Sequence, residues 1–214
     1  MATAGRYPVE FSVDYPGRAL SRLTTFFRPF AAVPILIVLG TVSGASGGGW
    51  QLDSGAESRT VIAGAGGLLV AAPLLMILFR QKYPRWWFNW NLELLRFINR
   101  VGVYLALMDD RYPSTDEHQS VRLDMPYPDA RTDLSRWLPL IKWLLAIPHY
   151  VVLFLLYIGA FVAVFVAWLA ILFTGRYPRA LFAFVEGVIR WHNRVTAYAF
   201  LLVTDAYPPF RLSP

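Results

Sequence analysis

The chain has no cysteine, which excludes thiolate metal sites, iron–sulfur clusters, disulfides and thiol catalysis. Histidine is scarce. His118, His149 and His192 are scattered, without an H-E-x-x-H pattern or a pair at i,i+4, so the spacing predicts no metal centre. Also missing are a G-x-S-x-G elbow, a phosphate-binding loop and a dinucleotide fingerprint; Gly47-Gly48-Gly49 is not followed by Lys-Ser/Thr. The acidic pairs Asp109-Asp110 and Asp116-Glu117 read as solvated or helix-ending, and the apolar segments hold no Asp or Glu to relay protons. No enzyme, cofactor or metal is therefore expected. The polar stretch after Met1 has no apolar h-region, so no cleavable signal peptide is expected either.

Charge is sparse as well. Charged residues make up 16% of the 214 and apolar residues 56%, against about 25% and about 45–50% in soluble domains. Mean hydropathy is +0.43, and the apolar residues come in blocks. These values predict a membrane protein. The net charge of +6 would suit nucleic acid in a soluble chain. Beside apolar segments, basic residues instead mark cytoplasmic loops, and no nucleic-acid partner is expected. The bias of arginine over lysine, with much Ala, Gly and Val, points to a GC-rich bacterial source.

The chain resembles itself. Val9-Glu10-Phe11-Ser12-Val13-Asp14-Tyr15-Pro16 answers Val121-Arg122-Leu123-Asp124-Met125-Pro126-Tyr127-Pro128, and Leu20-Ser21-Arg22 answers Leu134-Ser135-Arg136. In the same order, Tyr83-Pro84-Arg85 matches Tyr177-Pro178-Arg179, Arg96 and Arg100 match Arg190 and Arg194, and Asp110 matches Asp205. The reading is two tandem copies, 1–113 and 121–214, joined by a linker at 114–120. Copy 1 is about 20 residues longer, the excess falling in a Gly/Ser-rich stretch at 40–60 that reads as a loop.

The expected architecture is an all-α integral membrane protein made of two parallel tandem repeats. Each has a short strand, a transmembrane helical hairpin (about 26–79 and 138–173) and an amphipathic interfacial helix (about 86–108 and 180–203). A small cytoplasmic β pairing between the repeats joins Val9/Phe11/Val13 to Val121/Leu123/Met125. In repeat 2 the apolar block runs roughly 36 residues, too long for one straight span at 1.5 Å per residue, and Gly159 is the expected turn. One long tilted helix from about 148 to 173 is the alternative. Arginines and lysines flank the open end of each hairpin, which predicts both termini and 114–120 inside and 40–60 outside. The location implied is a bacterial plasma membrane, crossed several times.

The amphipathic helices carry the remaining polar residues. Glu186, Arg190, Asn193 and Arg194 share one stripe; Asn89, Glu93, Arg96 and Arg100 share the other. Lying in the interface, polar side to water, costs less than burying the arginines, and entry into the bilayer is the alternative. Arg96, Arg100, Arg190 and Arg194 are the expected contacts for anionic lipid head groups. Trp86, Trp87, Trp90, Trp137, Trp143 and Trp191 read as a belt at head-group level and as anchors for a docking partner.

Ile171-Leu172-Phe173-Thr174-Gly175-Arg176-Tyr177-Pro178-Arg179, followed by Gly187, Arg190-Trp191, Arg194, Ala197-Tyr198 and Asp205-Ala206-Tyr207-Pro208-Pro209, resembles a bacterial membrane family known as domain of unknown function 4389. Copy 1 resembles it more loosely, with Arg80-Gln81-Lys82 in place of Thr174-Gly175-Arg176. The resemblance implies a multi-pass membrane protein and brings no activity or site residue. The function expected is a non-catalytic accessory or structural subunit of a larger plasma-membrane complex, with membrane lipids and other membrane subunits as partners. The alternative is a protein binding lipid or another hydrophobic ligand in envelope lipid transport.

Overall fold

The computed structural model describes residues 7–43, 65–114, 117 and 119–214. Within them the order is β1 (Glu10–Val13), α1 (Arg22–Ala31), α2 (Val33–Ser43), α3 (Ala65–Arg80), α4 (Arg85–Leu105), β2 (Val121–Asp124), α5 (Pro139–Leu145), α6 (Ile147–Thr174) and α7 (Arg179–Ala199).

The alternation seen in the sequence does make strands, and they pair. β1 and β2 are antiparallel, with Phe11 opposite Leu123 and Val13 opposite Val121. Two four-residue strands are not stable alone and need a surface beneath them. They find it in α7 under β1 and α4 under β2. Phe11 and Leu123 enter one core with Phe88, Met108, Phe182 and Val185, drawn from both halves of the chain.

The halves are cross-braced by matched contacts. Arg22 Nη2 donates to Phe173 O at 3.2 Å at the end of α6, and Arg136 Nε donates to Leu78 O at 2.9 Å near the end of α3. Such cations suit the carbonyl-rich C-terminal end of a helix. The Tyr15 hydroxyl donates to Tyr177 O and the Tyr127 hydroxyl to Tyr83 O, tying each strand's tail to the turn before the opposite long helix. Pro84 and Pro178 stand immediately before α4 and α7, with φ of −63° and −62° that suit a helix start.

Several expectations about the membrane fold are overturned. Residues 138–173 form no hairpin: α5 is a separate seven-residue helix, and α6 runs unbroken for 28 residues through Gly159. That glycine is a packing notch. A Cβ there would lie 3.3 Å from the Phe184 ring, and Ala160, Ala163 and Ala167 continue the same buried stripe towards α7. One mid-helix glycine costs about 1 kcal/mol, too little to break so apolar a helix. The single long helix is what forms.

The first half has no matching long span. α1 and α2 are bent by 44° at their junction, and α3 has 16 residues. Among the described residues, α6 alone is long and apolar enough to cross a membrane; the bent pair would be a second only if counted as one span. The two-repeat multi-pass fold, and with it the placement of both termini on one side, is therefore not supported. Of the expected outer loop at 40–60, residues 40–43 belong to the end of α2 and the remainder lies outside the described residues.

The expectation that both amphipathic helices lie in the interface with their polar stripes turned to water is not supported: Asn89 and Glu93 of α4 are exposed, but the rest of the two stripes turns inward in whole or in part. Asn99, Arg100, Arg190, Asn193 and Arg194 are buried, and α7 lies between α6 and β1. Their partners are mostly backbone carbonyls, which a side-chain pattern does not reveal.

Candidate functional site

The four arginines hold the chain's own segments in place. Arg190 donates through Nε to Phe11 O and through Nη1 to Leu212 O, both at 2.9 Å, and pairs through Nη2 with Glu186 Oε1. Glu186 also accepts from Val13 N at 3.2 Å, so this ion pair fastens β1 to α7. Arg96 does the same for β2: Nε donates to Leu123 O at 2.9 Å, and the guanidinium pairs with Asp124 and Glu93. Arg100 Nη1 donates to Ser114 O at 2.8 Å, and Arg194 donates to Arg211 O and Ser213 O at 3.3 and 3.0 Å. Arg100, Arg190 and Arg194 are buried and Arg96 is partly covered. A cavity of about 290 Å³ opens beside Tyr7, Phe11, Arg190 and Arg194, but these guanidinium groups already donate to carbonyls and carboxylates.

Two other cations are buried at equivalent places, and the sequence treats them only as flanking charge. Arg28 in α1 donates through Nη1 to Tyr104 O and Asp109 O, both at 2.8 Å, and pairs with Asp110 at 2.6 Å. Lys142 in α5 donates to Thr204 O and pairs with Asp205, both at 2.7 Å. Asp110 and Asp205 each also accept a backbone N–H, from Ser21 and Ser135. The backbone turns into the left-handed region at Leu107 (φ 63°) and Leu202 (φ 57°), which brings each aspartate back onto its cation. Burial pushes Arg28 and Lys142 below their ordinary pKa values, and the neighbouring aspartates oppose that shift. The signal available in the sequence is the equal spacing of Ser21–Arg28 and Ser135–Lys142, with Asp110 and Asp205 following in the same order.

The tryptophans divide. Trp86, Trp90, Trp137 and Trp143 are exposed, Trp87 is half-buried beside Trp86, and Trp191 is buried in the core. Trp191 Nε1 donates to His149 Nδ1 at 3.0 Å, so the neutral His149 ring carries its proton on Nε2. Phe210 stacks on that ring at 4.0 Å. His192 is exposed on α7, and His118 lies outside the described residues. Among the described residues no cluster of three His, Asp or Glu side chains could hold a metal ion.

An apolar groove of about 360 Å³ runs between α1 and α6, lined by Pro29, Leu105, Phe161, Phe165 and Trp168, with Thr25 and Arg28 at its base. Thr25 Oγ1 and Arg28 Nε are both buried and, among the described residues, have no hydrogen-bond partner. Nothing in the sequence distinguishes Thr25; only the packing of α6 over α1 makes it a buried polar group.

Residues 136–211 match a protein family described as Domain of unknown function (DUF4389). The match supports the resemblance in the second half. It does not extend to 1–113, so two tandem copies of that domain are not supported. No curated protein and no solved structure matches the chain.

Proposed function

We propose that the protein is a non-catalytic, membrane-associated accessory subunit of a bacterial plasma-membrane complex, held in lipid by α6 and docked through its exposed tryptophan flank. The outward face of α6 carries the reading. Phe161 and Phe173 are 76% and 78% exposed, and Val151, Phe154, Leu155 and Phe165 share that surface. At about 1.5 Å per residue the helix is about 42 Å long, enough for a hydrocarbon core of about 30 Å with some tilt. So large an apolar surface on a soluble monomer would be an aggregation hazard. Meanwhile Asn99, Arg100, Arg190, Asn193 and Arg194 of α4 and α7 face inward onto the chain's own carbonyls and side chains, which favours docking through the exposed Trp86, Trp137 and Trp143 rather than through these polar residues.

Two experiments separate the parts of this reading. The full chain should stay in the membrane pellet through alkaline carbonate extraction, whereas Phe161→Glu with Phe165→Glu should release it; release of the native chain would refute the α6 anchor. A photo-crosslinking residue at Trp137 should give one protein adduct of defined mass, weakened by Trp143→Ala. Adducts with lipid alone would refute the accessory-subunit reading and leave the anchor standing.

A further inference from the structure

We propose that the groove between α1 and α6 binds the acyl-ester carbonyl of a glycerolipid, its oxygen held by Thr25 and Arg28 and its acyl chain laid along Phe161, Phe165 and Trp168. The starting point is two of the several buried polar atoms that lack partners among the described residues, chosen because these two line one apolar groove. Thr25 is fully buried and Arg28 is 2% exposed. Thr25 Oγ1 and Arg28 Nε have no hydrogen-bond partner among the described residues, although the remainder of the Arg28 guanidinium is engaged by Tyr104 O, Asp109 O and Asp110. Buried polar groups are seldom left so, and each such exception requires an explanation. Three residues apart on one helix, the two groups share a face. Both line the groove.

The chemistry of these donors selects the ligand. Two N–H and O–H donors suit one carbonyl oxygen, which has two lone pairs. Asp110 already balances the charge of Arg28, so a carboxylate or phosphate here would add an uncompensated buried charge. An uncharged carbonyl brings none. The groove walls are otherwise apolar, and α6 carries them into a surface that the proposed membrane anchor exposes to lipid. The corresponding place on α5 differs. Pro139 stands where α1 has Thr25, and Lys142 is engaged by Thr204 O and Asp205.

The inference rests on α6 lying in lipid, which carbonate extraction tests separately. The direct test is competition between two phosphatidylglycerols with equal chains, one diester and one diether. The full-length protein is delipidated in mild detergent, offered both at equal concentration, and read by native mass spectrometry. The native chain should retain one diester molecule in preference to the diether by about three- to tenfold, the equivalent of one hydrogen bond. Thr25→Val removes an unpaired hydroxyl, so it should keep the melting temperature while reducing that preference at least threefold. Val164→Phe should fill the groove and abolish retention of both. Equal retention of the two lipids, or an unchanged preference in Thr25→Val, would overturn the assignment.

Discussion

Asn99 of α4 and Asn193 of α7 are each other's partners: Asn99 Nδ2 donates to Asn193 Oδ1 at 2.9 Å, and Asn193 Nδ2 donates to Asn99 Oδ1 at 2.8 Å. Each amide spends its second proton on its own helix, at Leu95 O and Ile189 O. Both side chains are buried, so the pair fixes how the two helices meet at the centre of the fold. Asn193→Leu should cost about 1–3 kcal/mol, because it leaves the Asn99 amide buried and half unpaired. The double variant Asn99→Leu, Asn193→Leu should cost less than the sum of the single changes. Unfolding midpoints of the three variants in one detergent test this, and strict additivity would show that the amides are not coupled.

The arginines lead to a second prediction. Arg190 is buried and holds β1, the C-terminal tail and Glu186 together, whereas Arg96 makes comparable bonds at 28% exposure. Arg190→Met should destabilise by about 3 kcal/mol, leaving Glu186 without its cation. Arg96→Met should cost about 1 kcal/mol, since water can replace part of what it loses. Equal losses, or losses that vanish when anionic lipid is omitted, would contradict this internal bracing role.

Part of this arrangement was legible in the sequence. Alternation at Phe11/Val13 and Val121/Leu123 announces two strands with one apolar face each, and they pair. The matched motifs announce matched contacts, such as the Tyr15 and Tyr127 hydroxyls on Tyr177 O and Tyr83 O. The polar stripe on α4 and α7 was legible, but its direction was not. Phe11 O, Leu123 O and Ser114 O are backbone acceptors, which any residue supplies, so nothing in the side-chain pattern shows that arginines turn towards them. The helical hairpin failed for a similar reason: Gly159 reads as a turn until Phe184 is seen to fill the space beside it. The groove at Thr25 depends on α6 crossing α1, a long-range contact that local periodicity does not encode.

Gly187 tests how the C-terminal tail is held. A Cβ at that position would lie 2.9 Å from Leu212 Cβ and 3.1 Å from Leu212 O, and the latter is backbone that cannot swing aside. Arg190 and Arg194 grip the same tail at Leu212, Arg211 and Ser213. Gly187→Ala should push the tail off α7 at a cost of about 1–3 kcal/mol. Arg211 should then become cleavable by trypsin under native conditions. Unchanged protection at Arg211 would mean the tail adapts in place.

Alkaline pH should weaken the fold through its buried tyrosines. Burial raises the pKa of Tyr7, Tyr83 and Tyr177 above the ordinary tyrosine value of about 10. In the interval above that value the folded state keeps protons that the unfolded state has released. The stability these groups contribute is therefore complete below about pH 10 and is lost as pH rises towards their folded values. Lys142, lowered by burial, acts in the opposite sense, so a single pH profile does not isolate the tyrosines. A difference between variants does. Tyr83 donates its hydroxyl to Leu201 O at 2.8 Å, and Tyr83→Phe should cost about 1 kcal/mol at pH 8 by losing that bond. Between about pH 10 and 11.5 the gap should shrink, because only the native chain loses stability by ionising Tyr83 when unfolded. Melting temperatures of the two proteins across that range check the sign; a gap that widens with pH would refute the buried, protonated Tyr83.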